Sequence, residues 1–364
     1  MEKKKIAVYP YNYEFTPFLR YGKLTLDNFV LVSPKSWSLC GKDASVADGG
    51  GKIGINVISD TNSITDCEVL VIPEYRKDDQ IDKIVVDLMI RHMNSSKSIY
   101  YMSSNVEIIP VYVREYDKFK ISHSKLPFQD DYFDKNLKEI KTPIIVICGL
   151  MSETSKFDVL YVTSNSLKDM GFTCSVISPK SYSGLLSYYD YPSVISDDIH
   201  SMYDRTIMFN HYIKQIEETS QPDVIIIEIP SGIMAYSEKI HNNFGYMSSM
   251  LFNAVQPDFA CLCIPCTNVT DEYIALLKNL IYYRFNVMID CFYYSNKKID
   301  SKPYIKDDSM VPVIYDNDIF IKKYKKIMEL VENEKIYNFN NENDISLYIS
   351  QILKKLGAMI NETQ

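Results

Sequence analysis

The sequence predicts an α/β protein of two domains, each a mainly parallel sheet with flanking helices. Three observations carry this reading. Short apolar runs recur at 6–9, 29–32, 68–72, 98–102, 144–148, 223–229 and 257–264. Several of them, 144–148 above all, are apolar without alternation, as expected of strands buried on both faces of a parallel sheet. Helical patterns at 81–93, 156–170, 199–218 and 270–284 separate them, and strands alternating with helices give parallel sheets. A chain of 364 residues is also longer than one core usually supports.

The first domain is expected over 1–117, Rossmann-like. A strand at 6–9 leads to a short helix opened by Thr16 and Pro17, with proline at the first helical position. A strand at 29–32 ends at Ser33-Pro34. Residues 37–51 then read as a loop rich in glycine and polar side chains. Long loops inside compact domains usually carry function, so Trp37, Lys42, Asp43 and Asp48 are candidate ligand contacts. The alternative is a solvated connection. A strand at 68–72, an amphipathic helix at 81–93 and a strand at 98–102 follow. Residues 118–141, with a charged stretch at 130–138, are expected to form a linker.

The second domain, 142–364, opens on the most informative stretch of the chain. The apolar run 144–148 stops at Gly149, a polar loop spans 150–155, and a helix begins at Lys156. Free N–H groups and the helix dipole make such a junction an anion site. The phosphate-binding pattern G-x-x-x-x-G-K-[ST] is met only in part. The loop is one residue longer, Ser155 stands for the second glycine, and Phe157 stands where a Mg²⁺-binding hydroxyl is usual. Gly149, Ser152, Glu153, Thr154, Ser155, Lys156 and Asp158 are the predicted nucleotide- or phosphate-binding residues. The alternative is an ordinary strand-to-helix turn with a solvated lysine.

Further along, 223–229 ends its apolar run in Glu228, the Walker B form. An acid at the carboxyl end of a buried strand lies where open α/β sheets bind ligands. It needs a hydrogen bond or a cation there, and Glu228 is the catalytic candidate. Ser231, His241 and Asn243, in the segment that follows, are candidate ligand contacts; a surface role is the alternative for His241. Ser231 lacks the G-x-S-x-G elbow, which argues against a hydrolase triad. Strands at 257–264, 286–292 and 311–315 and helices at 270–284, 318–333 and 344–356 complete the chain. Cys261, Cys263 and Cys266 form C-x-C-x-x-C inside an apolar run, so they read as core thiols rather than metal ligands.

The net charge of −8 argues against broad nucleic-acid binding. No apolar run reaches the ~18 residues of a membrane span, and 6–9 is too brief for a signal-peptide core. A cytoplasmic setting with reduced thiols is expected.

Several stretches resemble a family of peptide-maturation-system proteins encoded beside radical-SAM maturases of cysteine-rich ribosomal peptides. They are 14–21, 37–50, 156–158, 222–227, 232–234 and 242–245. The resemblance implies a cysteine-rich precursor peptide and a radical-SAM maturase as partners, and it supplies no reaction. More distantly, the second domain is similar to dethiobiotin-synthetase-like P-loop proteins, in which a lysine and an acidic strand end flank the phosphates. Lys156 and Glu228 match those two positions, and ATP or GTP with Mg²⁺ is the implied cofactor. Phe157 departs from the pattern at the metal position. The expected function is an accessory nucleotide- or phosphate-binding protein of ribosomal-peptide maturation. The alternative is a non-catalytic, degenerate P-loop scaffold that binds the precursor peptide or the maturase.

Overall fold

The structure, a computed structural model, describes residues 4–23, 25–121, 134–181, 186–196, 199–235, 237, 238, 241–298 and 312–362. The chain divides into two compact units: Met1–Ser124 with Lys180–Ser187, and Lys125–Pro179 with Tyr188–Gln364. Each holds a mainly parallel sheet flanked by helices, as the apolar runs predict.

The first unit contains β1 (Ile6–Val8), α1 (Thr16–Tyr21), β2 (Phe29–Leu31), β3 (Val69–Ile72), α2 (Asp79–Asn94), β4 (Ser98–Tyr101), α3 (Val111–Arg114) and β5 (Phe119–Ile121). All pairings are parallel, in the order β2-β1-β3-β4-β5. Pro17 opens α1 as expected. Asp78 caps α2 by accepting from the Gln80 and Ile81 N–H groups. The helix then buries Ile81, Val85, Leu88 and Met89 in a core shared with Leu70, Ile72, Ile99 and Tyr101.

The expected linker, 118–141, needs correction. Phe119–Ile121 pairs with β4, Ile99 against Phe119 and Tyr101 against Ile121. This strand is short and sits at an edge, with Lys120 exposed. Natural edges carry such charges, and the charge hid the strand. At the other end, Lys138 N–H donates to Asn210, while Lys141 and Thr142 N–H donate to Glu217. Residues 134–141 are therefore tied into the second unit. Residues 122–133 of the expected linker lie outside the described residues.

The second unit contains β6 (Ile144–Gly149), α4 (Lys156–Asp169), β7 (Cys174–Ile177), α5 (Met202–Ser220), β8 (Val224–Glu228), α6 (Tyr246–Ala254), β9 (Phe259–Ile264), α7 (Asp271–Phe285), β10 (Cys291–Tyr294), β11 (Lys297–Lys298), β12 (Val313–Ile314), α8 (Asn317–Leu330), β13 (Ile336–Tyr337) and α9 (Glu342–Glu362). Six of these strands form a parallel sheet ordered β13-β10-β9-β6-β8-β7; β11 and β12 make a separate antiparallel pair. The strand that precedes the polar loop therefore lies directly beside the strand that ends in Glu228. From β6 the chain crosses to one side of the sheet, and from β8 to the other. Such a reversal opens a crevice at the carboxyl ends of the two strands.

Two expected boundaries shift for local reasons. Asn286 takes a left-handed conformation (φ 55°) as the cap of α7, so the strand expected at 286–292 begins only at Cys291. Ser201 caps α5 through Asp204 N–H, which starts that helix three residues later than expected. β13 is only two residues long and was not expected. Val311, the expected start of the last strand, lies outside the described residues.

Cys261, Cys263 and Cys266 are buried free thiols, as the core reading expects, and Cys148 and Cys291 are buried on the neighbouring strands. Burial raises the pKa of all five. Among the described residues no group of three His, Cys, Asp or Glu side chains could hold a metal ion. Among them, too, no helix is long and apolar enough to cross a membrane.

His92 sits buried on α2 of the first unit, its Nδ1 3.2 Å from the Leu88 carbonyl. Burial lowers its pKa, and the Leu88 carbonyl opposes this only in part. The unfolded chain takes up a proton near pH 6.5 that the folded unit resists, so stability falls as pH drops below that value. Urea unfolding of the first unit, followed from about pH 8 to about pH 5.5, should weaken more steeply in the wild type than in His92→Leu. Equal slopes would contradict the assignment.

Candidate functional site

Gly149 ends β6, and the loop folds tightly back over it. A Cβ built there would lie 2.4 Å from Thr154 Oγ1, 2.6 Å from the Met151 carbonyl oxygen and 2.9 Å from Lys156 Cδ. Only glycine leaves that space. Leu150 N–H still pairs with Cys263 of β9, and Ile233 N–H pairs with the Gly149 carbonyl. The start of this loop and the segment after β8 are thus bonded to each other.

Ser155 then turns the chain into α4 through a left-handed conformation, φ 61° and ψ 31°. A non-glycine residue reaches it only at a cost of about 1–3 kcal/mol. The Ser155 hydroxyl meets that of Ser295 at 3.2 Å, and the Thr154 hydroxyl donates to Met151 at 2.9 Å. Both side chains hold the loop's shape, so an anion contact from either is a backbone N–H contact.

Lys156 is the first residue of α4 and is 4% exposed. Its ammonium donates to the carbonyls of Ser231 (2.8 Å), Ser152 (3.0 Å) and Met151 (3.4 Å). A cation at a helix start opposes the helix dipole, and burial adds to the cost. The first N–H groups of the helix have no acceptor within it. An anion placed here gains from the lysine, the dipole and those N–H groups together. Asp158 lies in the first turn, Glu153 is half-buried and Ser152 is exposed.

Glu228 ends β8 beside Ile147 and is 2% exposed. Its carboxylate accepts from the Ser178 hydroxyl at 2.8 Å, and its carbonyl accepts from Tyr191 at 2.7 Å. Tyr191 is held far above the usual phenol range, by burial first and by the charge of Glu228 second. Burial and neighbouring Cys261 raise Cys263, while Lys156 draws it down and Glu228 pushes it up. The two predicted groups therefore act on one point of the sheet. Ser178 escaped the sequence reading. Its only signal was its place just beyond β7, the strand next to β8.

Ser231 also takes a left-handed conformation, φ 60°, and contributes its carbonyl to Lys156 rather than its hydroxyl. Asn243 and Phe244 are left-handed too, and Gly245 (φ 67°) packs against the Ile233 carbonyl, where a Cβ would come within 2.1 Å. His241 is exposed; its ring stacks on Phe244 at 4.8 Å and its Nε2 lies 2.6 Å from the Glu238 carbonyl. Phe157, at the usual metal-hydroxyl position, is buried and stacked on Tyr161.

The candidates of the first unit serve their own loop. Trp37 packs against the core of that unit. Lys42 is exposed, and its carbonyl accepts from Val57. Asp43 accepts from the N–H groups of Ser45, Ile53 and Gly54. Partial burial works to raise its pKa, and these hydrogen bonds outweigh it, holding the carboxyl at about 2. Asp48 forms a two-pronged pair with Arg20, both contacts 2.8 Å, while Arg20 also donates to Gly51. The two acids are spent in shaping 43–54.

No protein-family model and no curated protein sequence matches the chain. Among solved structures it is similar to a DUF1611 family protein from Anabaena variabilis ATCC 29413. The TM-score is 0.58 at 9% identity, over 97% of this chain and 100% of that one. At that identity the likeness concerns the fold alone, and it agrees with the two parallel α/β sheets described above.

Two variants test the roles just described. Gly149→Ala should destabilise the second unit by about 1–3 kcal/mol, as overpacking does, read in denaturant unfolding. An unchanged midpoint would mean that the loop has room to give. Asp43→Ala should cost the first unit about 1–2 kcal/mol near neutral pH, the value of a lost cap with its backbone hydrogen bonds. The carboxylate contributes its full stability above the unfolded pKa and loses it as pH falls through about 2. The difference between variant and wild type should shrink in acid accordingly, and a pH-independent difference would count against it.

Proposed function

We propose that the loop from Gly149 to Lys156 is an anion cradle for the phosphates of a nucleotide or another phosphate-bearing ligand. The chain would then act as an accessory phosphate-binding protein, with ATP or GTP as the candidate ligand. The observation that carries the reading is the buried Lys156 ammonium at the start of α4, gathered onto carbonyls from two loops. An incoming phosphate replaces those carbonyls with a charged acceptor, and charge-assisted contacts are the strong ones. Glu228, one strand away, is the group that would polarise a water or hold a cation through water.

The residues fit the phosphate better than its metal. Phe157 offers a ring buried against Tyr161 where a Mg²⁺-binding hydroxyl is usual. That observation favours a second reading, binding without hydrolysis, in which the site works as a switch or scaffold. The resemblance to peptide-maturation-system proteins supplies the proposed setting, a cytoplasmic one. The partners would be a cysteine-rich precursor peptide and a radical-SAM maturase.

Calorimetry of the full chain with ATP, GTP and inorganic phosphate, each with and without Mg²⁺, tests the cradle. Lys156→Ala should weaken binding by about 2 kcal/mol, roughly 30-fold, the value of a contact to a charged group. Affinity that ignores Mg²⁺ would favour the non-hydrolytic reading. Absence of heat with all three ligands, or equal affinity in the variant, would remove the proposal.

A further inference from the structure

α4 begins at a serine that does not cap it. Ser155 stands at the N-cap position, where serine is favoured because its hydroxyl accepts from an N–H group of the first turn. Ser201 does this for α5, accepting from Asp204 N–H at 3.1 Å, and Thr270 does it for α7, accepting from Tyr273 N–H at 3.3 Å. Ser155 makes no such bond. Capping residues normally have extended backbone, as Ser201 and Thr270 do. Ser155 is left-handed instead, φ 61° and ψ 31°.

Its hydroxyl is engaged elsewhere, 3.2 Å from the hydroxyl of the buried Ser295. Ser295 follows β10 directly. Its N–H donates to the Ile264 carbonyl at 2.9 Å, and its hydroxyl accepts from Lys297 N–H at 3.2 Å. Ser295 is thus fixed by backbone partners and offers Ser155 a partner in a set place. That contact decides the fate of the donors at the head of α4. A serine capping this helix would occupy one of the N–H groups that an anion needs. A serine turned to Ser295 leaves them open.

We infer that Ser295 is a positioning residue of the phosphate cradle: it draws the Ser155 hydroxyl off its own helix and keeps the start of α4 open to an anion. The inference rests on the phosphate reading of that loop and adds a residue that sets its affinity. The opposing energies are similar in size. A left-handed serine is strained, and one buried hydrogen bond offsets a strain of that order. Without Ser295, Ser155 relaxes to extended backbone and caps α4 in competition with the anion. A loop that is competent for only a fraction of the time loses affinity by that fraction.

Calorimetry uses whichever of ATP, GTP and inorganic phosphate binds the full wild-type chain most tightly. Ser295→Ala should weaken that binding about threefold to tenfold, the range of one hydrogen bond. The variant also takes an acceptor from Lys297 N–H, so a loss through loosened packing has to be told from a loss through Ser155. Ser155→Gly tells them apart, because glycine is left-handed without strain and has no hydroxyl to cap with. Adding Ser295→Ala to Ser155→Gly should change affinity by less than about twofold, the scatter of independent sites. Wild-type affinity in Ser295→Ala would overturn the inference and leave the phosphate reading standing. A loss of equal size in both backgrounds would overturn it too, since the effect would then belong to the packing at Lys297. A wild type that binds none of the three would overturn both.

Discussion

A buried ammonium joins the two strands at the centre of the second sheet. Lys156 stands at the head of α4, yet it donates to carbonyls on both sides of the β6–β8 seam, Met151 and Ser152 from one loop and Ser231 from the other. A charge buried to this degree is costly without strong acceptors. The loops have to bring their carbonyls to it, and their backbone bends accordingly. Ser155 and Ser231 both adopt left-handed conformations, and Gly149 gives up its side chain to let the lysine stem and the Thr154 hydroxyl pass. Removing the cation would leave that arrangement without its reason.

Four left-handed residues that are not glycine, Ser155, Ser231, Asn243 and Phe244, lie in the segments that follow β6 and β8, and Ser38, Ser96, Ser187, Gln221 and Asn286 take the same conformation elsewhere. Each costs of the order of 1–3 kcal/mol, and such residues collect where a fold serves a ligand more than its own stability. The first unit treats its long loop differently. There Asp43 and the Arg20–Asp48 pair turn potential ligand groups into internal hydrogen bonds. Two loops that look alike in composition are thus distinguished by where their charges go. Asp43 and Asp48 are satisfied by backbone N–H groups and an arginine of their own unit, whereas Lys156 reaches carbonyls of two loops at the head of a helix.

That difference also explains what could be read before the coordinates. The central strands of the second sheet were visible because 144–148 and 224–227 are apolar without interruption, a demand that burial on two faces makes on every residue. The β6–α4 junction was visible because glycine, a polar loop and lysine follow an apolar strand in that order. Phe119–Ile121 stayed hidden because an edge strand tolerates Lys120, and Ile336–Tyr337 because two residues carry no period. Ser178 and Ser295 were invisible for another reason. A lone serine takes its meaning from the neighbour it touches, Glu228 or Ser155, and those neighbours are 50 and 140 residues away. The partners of Asp43 and Asp48 were hidden on the same ground, since composition reports a carboxylate and not its partner.

The departure at Phe157 is the most informative part of the site. A phosphate loop that turns over its ligand needs the metal to bridge the phosphate oxygens and neutralise developing charge. Here the side chain at that place points its ring into the core against Tyr161 and contributes to packing. Under the proposed reading, Lys156, the start of α4 and Glu228 stand at the positions of a phosphate site, and a hydrophobic contact stands at the position of its metal hydroxyl. Binding energy from the cation and the helix start would be available to an oxyanion without a metal, because N–H groups and an ammonium hold one directly, whereas a strand-end carboxylate adds none. Acceleration is not available on the same terms, since it requires interactions that strengthen in the transition state. The chemistry of the residues therefore supports affinity for a phosphate more directly than it supports turnover. Within the site, Glu228 is the group on which any catalytic role would have to rest.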